Sequence, residues 1–328
     1  MEDDFKMTDM HDNNNAGATG MIQQPYNLRD YLDSIDAGKV LAEIHRLTAE
    51  MGAADFAVVE KIYDDISSLF EGRYAGFRAS NTKYHNLEHT NAVALAVARL
   101  MHGLWLEGHP FTAGDLVLGI VAALFHDTGL IQAEYDTEGT GAKYTIGHEK
   151  RSIDLARNYL PSHGFDAEAV EDCSYMILYT ILFKPVQDIP FRREAVSLLG
   201  RILGSADLLA QMADRSYLEK IPLLFFEFKE GGVPNYSNEL DMLVATENFY
   251  EFIFKKRLFG DLGNIAAVLR SHFRVRWNID NDLYMESVEK NIAYLRLLNE
   301  SCGGDYHCYL KKLRRGNILR NLYGQIAV

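Results

Sequence analysis

"LVLGIVAALFHDTG", residues 116–129, is an almost unbroken apolar run that ends on an adjacent histidine and aspartate. The wholly apolar part, 116–125, is about half of what a bilayer crossing needs, so it reads as a core helix of a soluble protein. His126 and Asp127 then stand where loss of hydration is costly unless something compensates. A divalent cation would do so. Equally, Asp127 would cap a neighbouring helix and His126 would bond a carbonyl.

Two other stretches carry side chains that can complete such a centre. "KYHNLEHTNAVALAV" (83–97) places His85 and His89 one helical turn apart, at the mouth of a helix whose face continues through Val93, Val97, Leu100 and Leu104. "LGRILGSADLLAQMADRSYLEK" (199–220) sets Asp207 on the helix face that carries Leu199, Leu203 and Ala210. Alone, each is also read as a core histidine or as a helix-internal acid paired with an arginine. Together they supply two imidazoles and two carboxylates to one cation.

His89, the His126–Asp127 doublet and Asp207, spread over consecutive long helices, resemble the H…HD…D signature of the HD superfamily of metal-dependent phosphohydrolases. "YHNLEH" (84–89) is similar to the Y-H-N-x-x-H motif of the cyclic-nucleotide phosphodiesterase branch. The resemblance covers about residues 80–215. It implies an all-α, HD-domain or phosphodiesterase-like helical bundle with additional C-terminal helices. It also implies metal ligation by His89, His126, Asp127 and Asp207, with His85 protonating the leaving oxygen. "YTIGHEKRSIDLARNYL" (144–160) resembles the His-Glu step that follows the doublet in deoxynucleoside-triphosphate hydrolases, and the E-x-x-S segment of predicted bacterial HD-type phosphohydrolases. That adds His148 and Glu149 as catalytic candidates. On the residues alone, Glu149 is equally explained by the dipole of a helix first turn.

The sequence departs from the phosphodiesterases at the fifth position of H-D-x-x-H, which is Leu130, so at least one cation is implied and a second is left open. It also contains no Gly-Tyr-Pro triplet or His-His pair, as the cyclic-dinucleotide branch would have; the comparable helix reads "YMILYTIL" (175–182). Mixed nitrogen and oxygen ligands suit Mn, Fe, Co, Ni or Zn better than Mg. The expected function is hydrolysis of a phosphoester of a small nucleotide-like substrate. The alternatives are a degenerate HD domain that binds nucleotide and signals, or an HD-fold di-iron oxygenase.

The rest of the 328 residues bounds these readings. With 48% hydrophobic residues the chain can bury a large core, and its formal net charge of −13 argues against wrapping nucleic acid. Helical spacing recurs over roughly 28–50, 54–72, 86–106, 113–127, 147–160, 167–184, 192–213, 240–258, 261–275 and 281–299. Residues 1–25, polar and aperiodic, read as a disordered tail without a secretory signal. Residues 26–328 read as one HD-type helical domain with a C-terminal helical extension. Asp115 is read as an N-cap, Gly129 as a helix stop, and the Gly-rich loop 130–146 as a binding lid. Cys173, Cys302 and Cys308 read as incidental thiols of a reducing, cytoplasmic setting. Lys83, Lys143 and Arg151 stand near enough in sequence to meet a phosphate. The aromatic segment 217–239 either fills the core or walls the pocket, and the basic stretch 309–325 reads as a solvated helix face. No membrane partner is expected, and the oligomeric state is not legible.

Overall fold

A computed structural model describes residues 28–31, 36–53, 56–234 and 236–323. The tail expected over 1–25 lies outside them. The fold is all-α: among the described residues there is no strand, only an isolated bridge between Phe77 and Ala133. The helices are α1 (Ala37–Glu50), α2 (Ala57–Phe70), α3 (Leu87–Leu106), α4 (Ala113–Phe125), α5 (His148–Tyr159), α6 (Ala167–Ile177) and α7 (Glu194–Ala213). They are followed by α8 (Tyr217–Glu230), α9 (Glu239–Asn248), α10 (Leu269–Trp277), α11 (Leu283–Cys302), α12 (Tyr306–Lys312) and α13 (Ile318–Tyr323).

Helices α3 and α7 form the central pair. α3 is flanked by α1, α4 and α10, and α7 by α4, α6 and α11. One buried apolar cluster runs from Leu28 to Leu319, so the C-terminal helices share the core of the rest. Buried Glu219 on α8 fastens them, accepting the Gly316 and Ile318 amides at 2.8 and 3.2 Å. The stretch Ala113–Leu130 is long and apolar enough to cross a membrane by composition, but 83% of it is buried inside the fold. It is the core helix that its length suggested.

Several local readings are corrected. Thr112, not Asp115, caps α4, and Asp115 is the reciprocal partner in a capping box, bonding back to the Thr112 amide and hydroxyl. The segment 217–239 opens with a full helix, α8, despite Pro222 inside it. The span 240–258 is α9 followed by π-helical turns over Phe249–Phe254 and Lys256–Asp261. Cys302 and Cys308 are joined as a disulfide, because Gly303 and Gly304 at positive φ turn the chain back between α11 and α12. Cys173 alone is a free, buried thiol.

Gly129 does not simply stop α4, which ends at Phe125 before a 3-10 turn over Thr128–Leu130. A Cβ at Gly129 would stand 2.0 Å from the His148 carbonyl oxygen, so glycine is required by the close passage of this turn against α5. Buried Ser152 stitches the two together, accepting the Gly129 amide at 2.8 Å and donating to the His126 carbonyl at 2.6 Å. That contact brings α5 to the end of α4. Ser152→Ala leaves both backbone groups buried without a partner and is expected to cost about 1–3 kcal/mol in urea unfolding. Gly129→Ala should cost more, since backbone must move, and an unchanged midpoint in both variants would contradict this joint.

Candidate metal centre

Asn86 caps α3, its side-chain oxygen accepting the His89 amide at 3.1 Å. The cap puts His89 in the first turn and His85 just outside the helix, with ring centroids 5.8 Å apart. His126 and Asp127 follow α4, and Asp207 comes from the middle of α7. These four side chains converge. His89 Nε2 lies 3.1 Å from Asp207 Oδ1 and 3.5 Å from Asp127 Oδ2. His126 Nε2 lies 3.1 Å from Asp127 Oδ2 and 3.9 Å from Asp207 Oδ1. His89, His126 and Asp127 offer ligand atoms that all lie within 4.8 Å of one another, a grouping able to hold a metal ion.

The donor set fits a cation on a specific ground. His126 Nε2 and Asp127 Oδ2 are buried, and neither makes an aligned hydrogen bond despite their proximity. The His126 ring is fixed from behind, its Nδ1–H donating to the Ala123 carbonyl at 2.7 Å. In the neutral ring the Nε2 lone pair therefore points at the carboxylates, as a ligating histidine's does when a carbonyl holds its other nitrogen. The carbonyl bond foreseen for His126 is present, and it leaves Nε2 directed at the carboxylates.

His148 repeats this arrangement from the other side. Its Nδ1–H donates to the Thr145 carbonyl at 2.8 Å, and its Nε2 stands 3.2 Å from Asp127 Oδ1. Asp127 thus turns one oxygen toward His89 and His126 and the other toward His148. Glu149 does not join the cluster; its carboxylate lies 3.6 Å from His148 Nδ1, behind that ring. Leu130 is 2% exposed and belongs to the core.

One residue of the site was not foreseen. Glu227 on α8, 5% exposed, accepts from His85 Nδ1 at 2.6 Å and from the Tyr84 amide at 2.6 Å. The single acid in "LLFFEF" therefore orients His85 while Leu223, Leu224 and Phe225 beside it pack inward. The segment fills the core and walls the site.

Electrostatics follow the geometry. Burial opposes charge on His126, but Asp127 and then Asp207 outweigh it and push the imidazole up to about 9. Burial likewise opposes charge on His148, which Asp127 raises to about 9. Burial resists ionisation of Asp127, yet His126 and His148 hold its carboxyl well below the usual range. For His85 burial is again outweighed, by Glu227 first, and its pKa is raised.

Two of the three cations named as phosphate contacts are engaged within the protein. Arg151 bonds the Gly129 and Ile131 carbonyls and stacks on Tyr144, Lys143 pairs with Asp136, and Lys83 is exposed. Lys220 pairs with Glu88 and Asp214.

Residues 166–259 match a protein-family model described as Npun_R2479-like. The matched segment carries Asp207 and Glu227 but none of the four site histidines. No curated protein and no solved structure matches the chain.

Protein purified without added metal and analysed by mass spectrometry is expected to carry a divalent transition metal. Asp127→Ala should lose it by at least about tenfold, since loss of even an outer-shell partner costs about 10–100-fold in affinity. Glu227→Gln, which leaves all four ligands in place, should retain it. Equal metal in the native protein and Asp127→Ala would contradict the ligand assignment.

Proposed function

We propose that this protein is a metal-dependent phosphohydrolase acting on a phosphoester of a small nucleotide-like substrate. The observation that carries the reading is the grouping of His89, His126 and Asp127, with Asp207 bonded to His89, around two buried ligand atoms without a hydrogen-bond partner, His126 Nε2 and Asp127 Oδ2, next to a histidine held by a carboxylate. The resemblance of these same residues to the HD signature supports it.

His89, His126, Asp127 and Asp207 would hold the cation. Bound there, it would make water a stronger nucleophile at neutral pH and offset charge on phosphoryl oxygens. His148, set against the second oxygen of Asp127, is the residue that offers a place for a further cation, in the role that Leu130 leaves unfilled. The protein side chains divide the proton handling. Glu227 takes the Nδ1–H of His85, so the ring's Nε2 faces away from Glu227 and can hold a proton for the departing oxygen. Asp207, with 22% of its side chain exposed, is the carboxylate best reached by solvent and can accept a proton from the attacking water.

Charge narrows the substrate. Lys143, Arg151 and Lys220 are each engaged by protein partners, which leaves exposed Lys83 of the cations considered, and the cluster carries Asp127, Asp207 and, beside it, Glu227. A nucleoside triphosphate brings several negative charges that would need free cations near the metal, as phosphate binding generally requires. A singly charged phosphodiester needs fewer. The reading therefore favours a diester over a triphosphate.

The test is a release assay on metal-loaded protein with bis(p-nitrophenyl) phosphate, cyclic nucleotides and nucleoside triphosphates, across Mn, Fe, Co, Ni, Zn and Mg. Diester turnover is expected, abolished in Asp127→Ala and lowered about 10²–10⁴-fold in His85→Gln, the usual worth of a general acid. Metal-loaded protein that turns over none of these compounds would overturn the proposal.

A further inference from the structure

A second group of buried histidines lies well away from the metal centre, on the other half of α3. His102 on α3 and His272 on α10 are both 0% exposed, and their Nδ1 atoms face each other at 3.0 Å with the rings edge-on. The remaining ring nitrogens are buried without an aligned hydrogen bond, that of His102 facing the Glu50 carboxylate at 3.4 Å. Two Nδ1 atoms at this distance require one N–H donor and one lone-pair acceptor, a condition met only while at least one of the two rings is neutral. A proton on both rings would set two N–H groups against each other.

The surroundings offer little to offset such a charge. From α1, Glu43 is already paired with Arg46 and faces Arg276 at 3.5 Å, and Glu50 is shared between Arg46 at 3.0 Å and His102 Nε2 at 3.4 Å. From α3, Arg99 is 1% exposed and among the described residues bonds neutral groups, the Tyr31 carbonyl and the Tyr284 hydroxyl of α11. Glu107, at the end of α3, accepts the Ser271 hydroxyl of α10. Two guanidiniums, Arg46 and Arg276, thus attend Glu43 and Glu50, Arg99 adds a third positive charge, and Glu107 is engaged by Ser271. There is no slack either: a Cβ on Gly103 would lie 2.4 Å from the Val268 carbonyl, so the chain entering α10 rests directly on α3.

We propose that His102 and His272 are a proton-operated joint between α3 and α10, closed while the pair is neutral and opened by protonation of both rings. Opening would free α10 from α3, leaving the α3–α7 pair and the metal centre intact. Burial, and for His272 the nearby Arg99 as well, push both imidazoles below the ordinary histidine value. For groups depressed in this way the stabilisation is complete above the ordinary histidine range and is lost as pH falls below it. With two protons taken up on opening, the closed-to-open ratio falls by up to about a hundredfold per pH unit in that window. The inference is independent of the phosphohydrolase reading.

The chain carries its own reporters, since its two tryptophans both touch the pair. Trp105 lies 5.8 Å from His102 and Trp277 lies 5.3 Å from His272. The full-length protein would be titrated from about pH 7.5 to about pH 5, the range in which histidine changes charge. Tryptophan emission, far-ultraviolet circular dichroism and hydrogen exchange would be followed together. The expected result is a shift in emission with helicity largely kept. Loss of amide protection in 269–277 should exceed that in 194–213 by about tenfold or more, once intrinsic rates are corrected. In His102→Gln and His272→Gln, which keep a hydrogen-bonding group but cannot titrate there, the emission step should vanish or move at least about one pH unit lower. An emission step of the same midpoint and size in both variants would overturn the proposal, as would a native protein without one. If neither variant folds, exchange in the native protein decides: equal acid-induced loss in 269–277 and 194–213 would refute the joint.

Discussion

The buried carboxylate of Asp127 is the constraint around which the molecule is arranged. It is 3% exposed, at the end of the most apolar helix of the chain, and it cannot remain there as an anion without positive partners. Three imidazoles, from α3, from its own turn and from α5, face it. The turn that carries it passes α5 so closely that only glycine fits at 129, and Ser152 bonds both sides of the gap. Packing and electrostatics here cannot be separated: the contact that closes α4 against α5 also places His148.

The long helices serve the same point from a distance. α3 and α7 form the most extensive helix pair, and each sends one side chain of the cluster inward, His89 from the first turn of α3 and Asp207 from the middle of α7. The apolar faces beside these residues, Val93, Val97 and Leu100 on one and Leu199, Leu203 and Ala210 on the other, fix the distance between them. α8 completes the wall. Its N-terminal half anchors the C-terminal helices through Glu219, and two turns later Glu227 holds His85.

Much of this was legible in the sequence because the relevant residues break a pattern. A histidine and an aspartate ending an apolar run, and an aspartate on a Leu/Ala face, are conspicuous, and the helices that carry them have clear periodicity. Glu227 was hidden for the opposite reason. It is one acid in an aromatic segment whose character its neighbours set, and its partner His85 lies 142 residues earlier. Gly129 was misread because its neighbour in space, the His148 carbonyl, is not its neighbour in sequence. Asp115 was misplaced by three residues because Thr112 and Asp115 cap each other. The cysteine pairing depended on the turn that Gly303 and Gly304 allow, which counting thiols does not reveal. The π-helical turns after α9 leave no distinct period in so short a segment.

X-ray absorption at the metal edge tests the central claim most directly, because it reads the ligands without depending on any substrate. A first shell of nitrogen and oxygen at about 2.0–2.2 Å, with the outer-shell scattering of two or more imidazoles and no sulfur, is the predicted result. A sulfur shell near about 2.3 Å, or a shell without histidine scattering, would place the metal away from His89, His126, Asp127 and Asp207 and contradict it.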